Sequence, residues 1–458
     1  MMTIQNAARA LGGEWCGDNM LFTGVSTDSR AVKRGDLFVA LVGEKFDGHN
    51  FVAEAKKRGA AAAMVCRESW TKNQESVIPL IRVKNTRLGL GQLATHWRDH
   101  FNIPVVAVTG SNGKTTVKEM IASVLRRAVD ALGQMSGSDS VLATEGNLNN
   151  DIGMPLMLLR LRKQHLYAVF EMGMNHFGEI SYLTRLAKPS VAVITNAGAA
   201  HVKDLGSVEA VACAKGEIFE GLDQHGIAVI NADDSYAPLW RKLAGNRKVV
   251  DFGIGGEPQV SARYQLDFFG SKLKLILPAG ISEVELQVPG EHNVRNALAA
   301  AAAAVALGIG PEAIVSGLGE FRGVKGRLQT KRCLHDATLI DDSYNANPES
   351  VRAALAVLAK APGKKILVLG DMGELGDNAR DFHERIGLEA HLAGIDKLLA
   401  IGELSVYAAA KFGPGARHYE HIEELLTELE SLLAADVTLL IKGSRFMRME
   451  RVVQRIEL

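Results

Sequence analysis

"IPVVAVTGSNGKTTVKEM", from Ile103 to Met120, decides how the chain is read. A β-branched run ends in a glycine-bearing turn, and "TTVKEMIASVLRRAV" continues with helical spacing. Strand, turn and helix in that order are the setting of a phosphate-binding loop. Gly110 and Gly113 allow the backbone to approach a ligand closely, and Thr109, Ser111 and Asn112 are turn formers. The helix start, with Lys114, Thr115 and Thr116, offers free N–H groups and partial positive charge to phosphates. Lys114 can reach the β- and γ-phosphates, and the Thr115 hydroxyl can ligate Mg²⁺. One position departs from the usual G-x-x-x-x-G-K-[ST] pattern: its first glycine falls on Val108. Gly110 is expected to make the tight turn instead.

The rest of the chain bounds the setting. At 458 residues it is too long for one core, so two to four domains are expected. Apolar content of 47% with 23% charged residues is that of a globular protein in water. Fifty-two basic residues balance 52 acidic ones, which argues against nucleic acid or a membrane surface as partner. Cys16, Cys66, Cys213 and Cys333 are scattered, without a C-x-x-C, and read as buried thiols in a reducing compartment. The N-terminus has no basic segment followed by an apolar one. The longest apolar run, Ala297 to Gly308, is too short to span a bilayer and reads as a buried helix. A cytoplasmic protein with no membrane insertion is expected.

Three segments emerge from the pattern. Residues 1–83 form a small α/β unit, with apolar runs at Leu37–Val42 and Ala62–Val65 around a helical stretch from Asn50 to Arg58. In residues 84–312, "IPVVAV", "YAVFEMG", "SVAVITN", "GIAVINADD" and "KVVDFG" recur between helical stretches, the alternation of a mostly parallel sheet covered on both faces. "YQLDFFGSKLKLILPAGISEVELQVPG" then alternates like antiparallel strands, and a helix begins near His292. Residues 313–458 carry "ATLIDDS", "KKILVLGDMG", "KLLAIGE" and "DVTLLIKGS", and read as a Rossmann-like α/β domain. The fold class is therefore α/β in three domains.

Polar groups at strand ends narrow the chemistry, because ligands of open parallel sheets bind there. Glu171 ends one apolar strand and His201 lies just beyond another. Beside a phosphate loop the two can hold a divalent metal, although a helix cap and a satisfied polar contact would explain each alone. Lys215, in "CAKGEIFEGL", would by itself be a solvated charge on a helix.

Taken together, the chain resembles the Mur ligase family, the ATP-dependent amino-acid ligases of peptidoglycan synthesis. That family's phosphate loop reads T-G-x-N-G-K-T-T and dispenses with the glycine absent at Val108. The resemblance covers the full length: an N-terminal UDP-sugar domain, a central ATPase domain and a C-terminal Rossmann-like domain. It implies Glu171 and His201 as metal ligands with Thr115, and Lys215 at the position where related ligases carry a carbamylated lysine. It places Asn293 and Asn296 of "GEHNVRNALAA" at the adenine, and Arg327 of "GRLQ" and Asp342 of "DDSYNANPES" on ATP from the third domain.

Within the family, "DSYNANPES", "LGDMGELG" and "KGSRFMRME" resemble the dipeptide-adding members. This implies ATP and Mg²⁺, with UDP-N-acetylmuramoyl-tripeptide and D-Ala-D-Ala as substrates and a monomer as the working unit. ATP would activate a carboxylate as an acyl phosphate, which an amine then attacks. Ser26, Thr27, Asp28, Ser29 and Arg30, with "LVGEKFDGHNF", would serve uracil and diphosphate. Thr144, Asn147 and Asn150 would lie on the muramyl-peptide path, and Tyr344, Asn345, Asn347, Lys442 and Arg445 would receive the amine substrate. The diaminopimelate-adding ligases carry a D-N-P-R motif; the nearest string here, "DNAR" at Asp377–Arg380, stands in a different context. A diaminopimelate-adding ligase is the first alternative, followed by folylpolyglutamate synthase and a P-loop kinase. Arg327 and Asp342 can meet the phosphate loop only if the second and third domains close on one nucleotide.

Overall fold

The computed structural model describes residues 1–68, 78–131, 133, 138–198 and 202–458, without the side chains of Ser138, Val202 and Lys203. Its central element is a sheet of six parallel strands. In spatial order they are Lys248–Phe252, Ile227–Asn231, Val191–Ile194, Val105–Thr109, Tyr167–Glu171 and Val141–Ala143. Five of them are the apolar runs legible in the sequence. The sixth, Val141–Ala143, is only three residues long and carries too little pattern to stand out.

Val105 and Ala107 pack on one face of this sheet, Val106 and Val108 on the other. A strand buried on both sides needs apolar residues at every position, which is why these segments read as continuous runs. It also explains the departure at Val108. That residue is fully buried inside the strand, so the phosphate loop begins after it. The following helix, Lys114–Ala131, buries Val117, Met120, Ile121, Val124, Leu125 and Ala128, a single stripe at three- and four-residue spacing. The helix Glu291–Ala306 lies against the same face, with its alanines from Ala299 to Ala304 all buried.

Three antiparallel strands, Ser261–Leu266, Ser271–Leu277 and Gly280–Leu286, come after the parallel sheet. The expected division after residue 312 falls inside the helix Pro311–Glu320. That helix packs with Lys114–Ala131: Ser123 Oγ donates to Gly317 O at 2.7 Å, and a Cβ on Gly317 would meet the Val124 Cα at 2.4 Å. Its structural place is therefore with the second segment.

The third sheet has the spatial order Gln329–Arg332, Thr338–Asp342, Val437–Lys442, Lys364–Gly370, Lys397–Ile401, Ala416–Tyr419. Five strands are parallel and the first is an antiparallel edge. "QTKR" at that edge has no apolar run, and half-exposed edges do not require one. Phe268, from the hairpin of the second segment, packs on the core of this third unit.

The first unit is a five-stranded sheet, Glu14–Cys16, Leu80–Val83, Ala62–Cys66, Asp36–Val39 and Gly24–Ser26. The helical stretch expected from Asn50 to Arg58 is a 3₁₀ turn, Gly48–Phe51, running into the helix Val52–Lys57. Arg162 Nη2 donates to Thr23 O at 2.9 Å and Thr86 Oγ1 to Ala40 O at 2.8 Å, tying this unit to the second. Among the described residues no helix is long and apolar enough to cross a membrane.

Candidate functional site

The carboxyl ends of the central parallel sheet and of the third sheet face one another across a cavity of about 980 Å³. From one side it is lined by the loop Ser111–Thr116, Asn149, Glu171, Asn293 and Asn296. From the other come Arg327, Asp342, Tyr344 to Asn347, Lys442 and Arg445.

The phosphate loop is held by its neighbours' side chains. Asn112 N–H donates to Asn196 Oδ1 at 2.9 Å, and Thr195 Oγ1 donates to Asn112 O at 2.6 Å. Ser111 Oγ accepts from Gly198 N at 2.9 Å and is thereby turned inward. A Cβ on Gly110 would lie 1.8 Å from Thr195 Oγ1. Gly113 has φ +83°, and a Cβ there would lie 2.3 Å from Asn296 Oδ1. Both glycines are required by close approach, and Gly113 also by its backbone. Thr195 and Asn196 were not legible as loop supports. Their signal was the "TN" ending the apolar run "SVAVITN".

Lys114 begins the helix, and its Nζ donates to Gly110 O at 2.6 Å. Burial holds its ammonium below the usual lysine range, with Glu171 opposing the shift and Arg327 adding to it. Lys215 lies fully buried on the helix Val208–Gly216. Burial first, and the Lys114 charge second, hold it well below the ordinary value.

Thr115 Oγ1 donates to Glu171 Oε2 at 2.8 Å, and Asn149 Nδ2 donates to Glu171 Oε1 at 2.8 Å. A hydroxyl and a carboxylate thus present two oxygens side by side at the loop. Mg²⁺ takes oxygen ligands at about 2.1 Å, which puts adjacent octahedral corners roughly 3.0 Å apart. The Thr115–Glu171 pair fits that requirement in donor type and spacing. His201 lies outside the described residues.

Several expected contacts are engaged within the protein. Thr144 is buried, and its hydroxyl accepts from Glu171 N–H at 2.9 Å, so it positions Glu171 from behind. Asn150 Oδ1 accepts from Gly153 N at 2.8 Å at the start of the helix Gly153–Leu158, while Asn147 lines the cavity. Asn293 and Asn296 join one another, Asn296 Nδ2 donating to Asn293 Oδ1 at 3.0 Å, and both are buried at the cavity wall.

In the third unit, Lys442 and Asp342 stand opposite one another in register on neighbouring strands. Lys442 Nζ donates to Asp342 Oδ2 at 2.5 Å and to Asn345 O at 2.9 Å. Lys442 is 2% exposed, and its charge is paired with Asp342 at the cavity wall. Burial raises the Asp342 carboxyl, and Lys442 opposes the shift. Asn345 Oδ1 accepts from Ala346 N–H and Arg445 N–H. Two guanidinium groups lie over the Tyr344 ring, Arg327 at 4.3 Å and Arg445 at 5.5 Å from its centroid. Arg445 is exposed and also meets Glu450 at 3.0 Å. Asn347 caps the helix Pro348–Leu358, and its Nδ2 donates to Asn112 Oδ1 at 2.9 Å.

The first unit's polar turn lies away from this cavity. Ser26 Oγ donates to Asp28 O at 2.9 Å, and Asp28 caps the turn Ser29–Ala31 while holding the Arg30 guanidinium at 2.8 Å. Ser29 is buried and Thr27 half-buried.

Three family models match successive parts of the chain. Residues 21–98 match the model described as Mur ligase family, catalytic domain; residues 108–304 match Mur ligase middle domain; residues 326–445 match Mur ligase, glutamate ligase domain. The chain is 41% identical to the UDP-N-acetylmuramoyl-tripeptide--D-alanyl-D-alanine ligase of Escherichia coli K12, covering 100% of this chain and 98% of the relative. Among solved structures, MurF from Acinetobacter baumannii superposes with a TM-score of 0.89 at 38% identity, covering 99% of this chain and 98% of that one. MurF ligase from Thermotoga maritima in complex with ADP gives 0.82 at 28% identity, covering 96% and 98%. With all three units matched and a relative of 41% identity along its whole length, the chain belongs to the Mur ligase family.

Proposed function

We propose that the chain uses ATP to join D-Ala-D-Ala to the free carboxylate of UDP-N-acetylmuramoyl-tripeptide, releasing ADP and phosphate. The observation that carries this reading is the single cavity shared by the phosphate loop with Glu171 and by Arg327 with the Ser343–Asn347 loop. The full-length relatives, named for that reaction, support the choice of substrates. Residues 1–83 take the UDP end of the acceptor through the Ser26–Arg30 turn, residues 84–312 take ATP, and the third unit takes the amine. The protein works as a cytoplasmic monomer.

A carboxylate is a poor electrophile, so its oxygen must first attack the γ-phosphorus and form an acyl phosphate. Phosphoryl transfer gains mainly from positioning and charge neutralisation. Lys114 and Arg327 approach the phosphates from opposite walls. Asn293 and Asn296 present amides to the adenine, and Thr144 holds Glu171 in place. Thr115 and Glu171, with His201, would hold Mg²⁺. Bound there, it neutralises phosphate charge and orients the transferring group. In the second half, the dipeptide nitrogen attacks the acyl carbon and phosphate leaves. Tyr344, Asn345 and Arg445 then grip the peptide, with Arg445 rather than the Asp342-paired Lys442 as cation for its terminal carboxylate.

Lys215 is the candidate for carbamylation. Burial beside Lys114 favours the neutral amine, the form that adds CO₂, and the resulting anion would face the Lys114 cation. Loss of activity in Lys215→Ala that short carboxylic acids partly restore would support this; an unmodified mass without rescue would exclude it.

The deciding experiment measures phosphate release with UDP-muramyl peptides crossed against D-Ala-D-Ala, diaminopimelate and glutamate. Amide formation with D-Ala-D-Ala well above the others is expected. Faster ligation of diaminopimelate would move the chain to another member of the family, and phosphate transfer to a hydroxyl would remove the ligase reading.

A further inference from the structure

The side chain of Asn112 reaches out of the phosphate loop into the third unit. Its backbone is fixed by Thr195 and Asn196 of the second unit. Its amide, by contrast, bonds only partners across the cavity among the contacts described. Asn112 Nδ2 donates to Glu349 Oε2 at 3.0 Å, and Asn112 Oδ1 accepts from Asn347 Nδ2 at 2.9 Å. Both partners lie at the start of the helix Pro348–Leu358.

The direction of each bond is determined. Asn347 Oδ1 is occupied by Ser350 N–H at 2.8 Å in a capping box, so its Nδ2 must face Asn112. An ionised Glu349 can only accept. One orientation of the Asn112 amide therefore satisfies both partners, and the flipped one satisfies neither. Glu349 also lies tight against the second unit: a Cβ on Gly198 would meet its Oε2 at 2.1 Å.

We infer that Asn347 and Glu349 are positioning residues that latch the third unit onto the phosphate loop through Asn112, so that nucleotide binding and closure of the cavity are one event. Asn347 thereby leaves the set of amine-substrate contacts. The latch seats Arg327, on the third unit, opposite Lys114. It rests on the reading of the cavity as an ATP site.

The test exploits bond polarity. Asn347→Asp keeps a strong helix N-cap but sets a second carboxylate against Asn112, which cannot donate on both sides. Glu349→Gln keeps an acceptor oxygen toward Asn112 and supplies the single-variant baseline against which the double variant is read. In the double variant Asn112 flips, donating to the new carboxylate and accepting from the new amide. The full chain is assayed for binding of a non-hydrolysable ATP analogue with Mg²⁺, for its radius of gyration in solution, and for amide formation. Asn347→Asp should weaken analogue binding by about tenfold, raise KM for ATP and enlarge the liganded particle, with KM for the dipeptide unchanged. The double variant should recover most of each loss. A double variant no better than Asn347→Asp, or a rise confined to KM for the dipeptide, would overturn the latch. Wild-type protein that does not bind the analogue would overturn the ATP reading and the latch with it. Binding by wild type with no loss in Asn347→Asp would remove only the latch.

Discussion

The loops Gly110–Lys114 and Ser343–Asn347 both come after parallel strands and face one cavity, yet they are held by different forces. The first is gripped by neutral donors and acceptors, the Thr195 hydroxyl and the Asn196 amide, and by glycines where a Cβ has no room. The second hangs on a buried charge, since Lys442 holds both Asp342 and the Asn345 carbonyl. Neutral support is insensitive to pH and salt, and to it the Lys114 ammonium adds one bond, to Gly110 O. Ionic support makes the second loop depend on a balance between desolvation and pairing.

The sharpest way to break the comparison is at Lys114. Lys114→Ala removes the cation and its bond to Gly110 O, while the Thr195 and Asn196 contacts that hold the loop stay in place. We expect amide formation to fall by a factor of hundreds, roughly 3–4 kcal/mol of barrier, with the thermal midpoint little changed. Turnover within threefold of wild type would remove this loop from the mechanism.

Lys442→Met should do the reverse and act first on stability. Breaking a buried pair leaves a carboxylate without its partner and costs about 3 kcal/mol, read from denaturant unfolding. The pH dependence has a definite sign. Burial already raises the Asp342 carboxyl in the folded state. Its burial penalty is therefore present at neutral pH and is relieved as pH falls through the folded value. Without Lys442 that value rises further, so the variant's deficit should shrink as pH is lowered. A deficit independent of pH would show that Lys442 supports the loop by packing alone.

A smaller effect is expected behind the first loop. Thr144→Val keeps shape but leaves the Glu171 N–H without its acceptor, at a cost of about 1–2 kcal/mol. Its Mg²⁺ requirement for activity should rise while KM for the dipeptide stays unchanged. An unchanged Mg²⁺ dependence would separate Thr144 from the positioning of Glu171.

The mildest test concerns His292, which lines the cavity and is held by burial down to about 4. A histidine with a lowered folded value contributes stability above its ordinary 6.5 that is lost as pH falls toward the folded value. Unfolding midpoints should decline from about pH 6.5 to 4, and His292→Gln should flatten that limb. A variant with the same acid limb as wild type would assign it to other groups.

Much of this was legible in residues. Continuous apolar runs announced the parallel strands, because a strand buried on both faces tolerates no polar position. Gly110, Gly113 and Lys114 announced the phosphate loop, because strand, turn and helix start are contiguous in the chain. The edge strand Gln329–Arg332 escaped, because an exposed edge needs no apolar pattern. Lys442, read in the sequence as a contact for a substrate carboxylate, also pairs with Asp342, a hundred positions away in the chain. Nothing local in "IKGS" names that partner. It is chosen by the strand order, which sets Val437–Lys442 beside Thr338–Asp342 in register.

The sequence by itself determined the α/β character, the three-part order and the nucleotide loop, since each rests on neighbours along the chain and on the periodicity of burial. Only the tertiary structure decided which polar groups line the cavity and which face each other. Thr144, Asn347 and Lys442 carry the same side chains whether they touch a substrate or a neighbour. The choice is made by distances between strand ends and helix starts that the folded chain brings together, and a hydrogen bond forms or fails over less than an ångström.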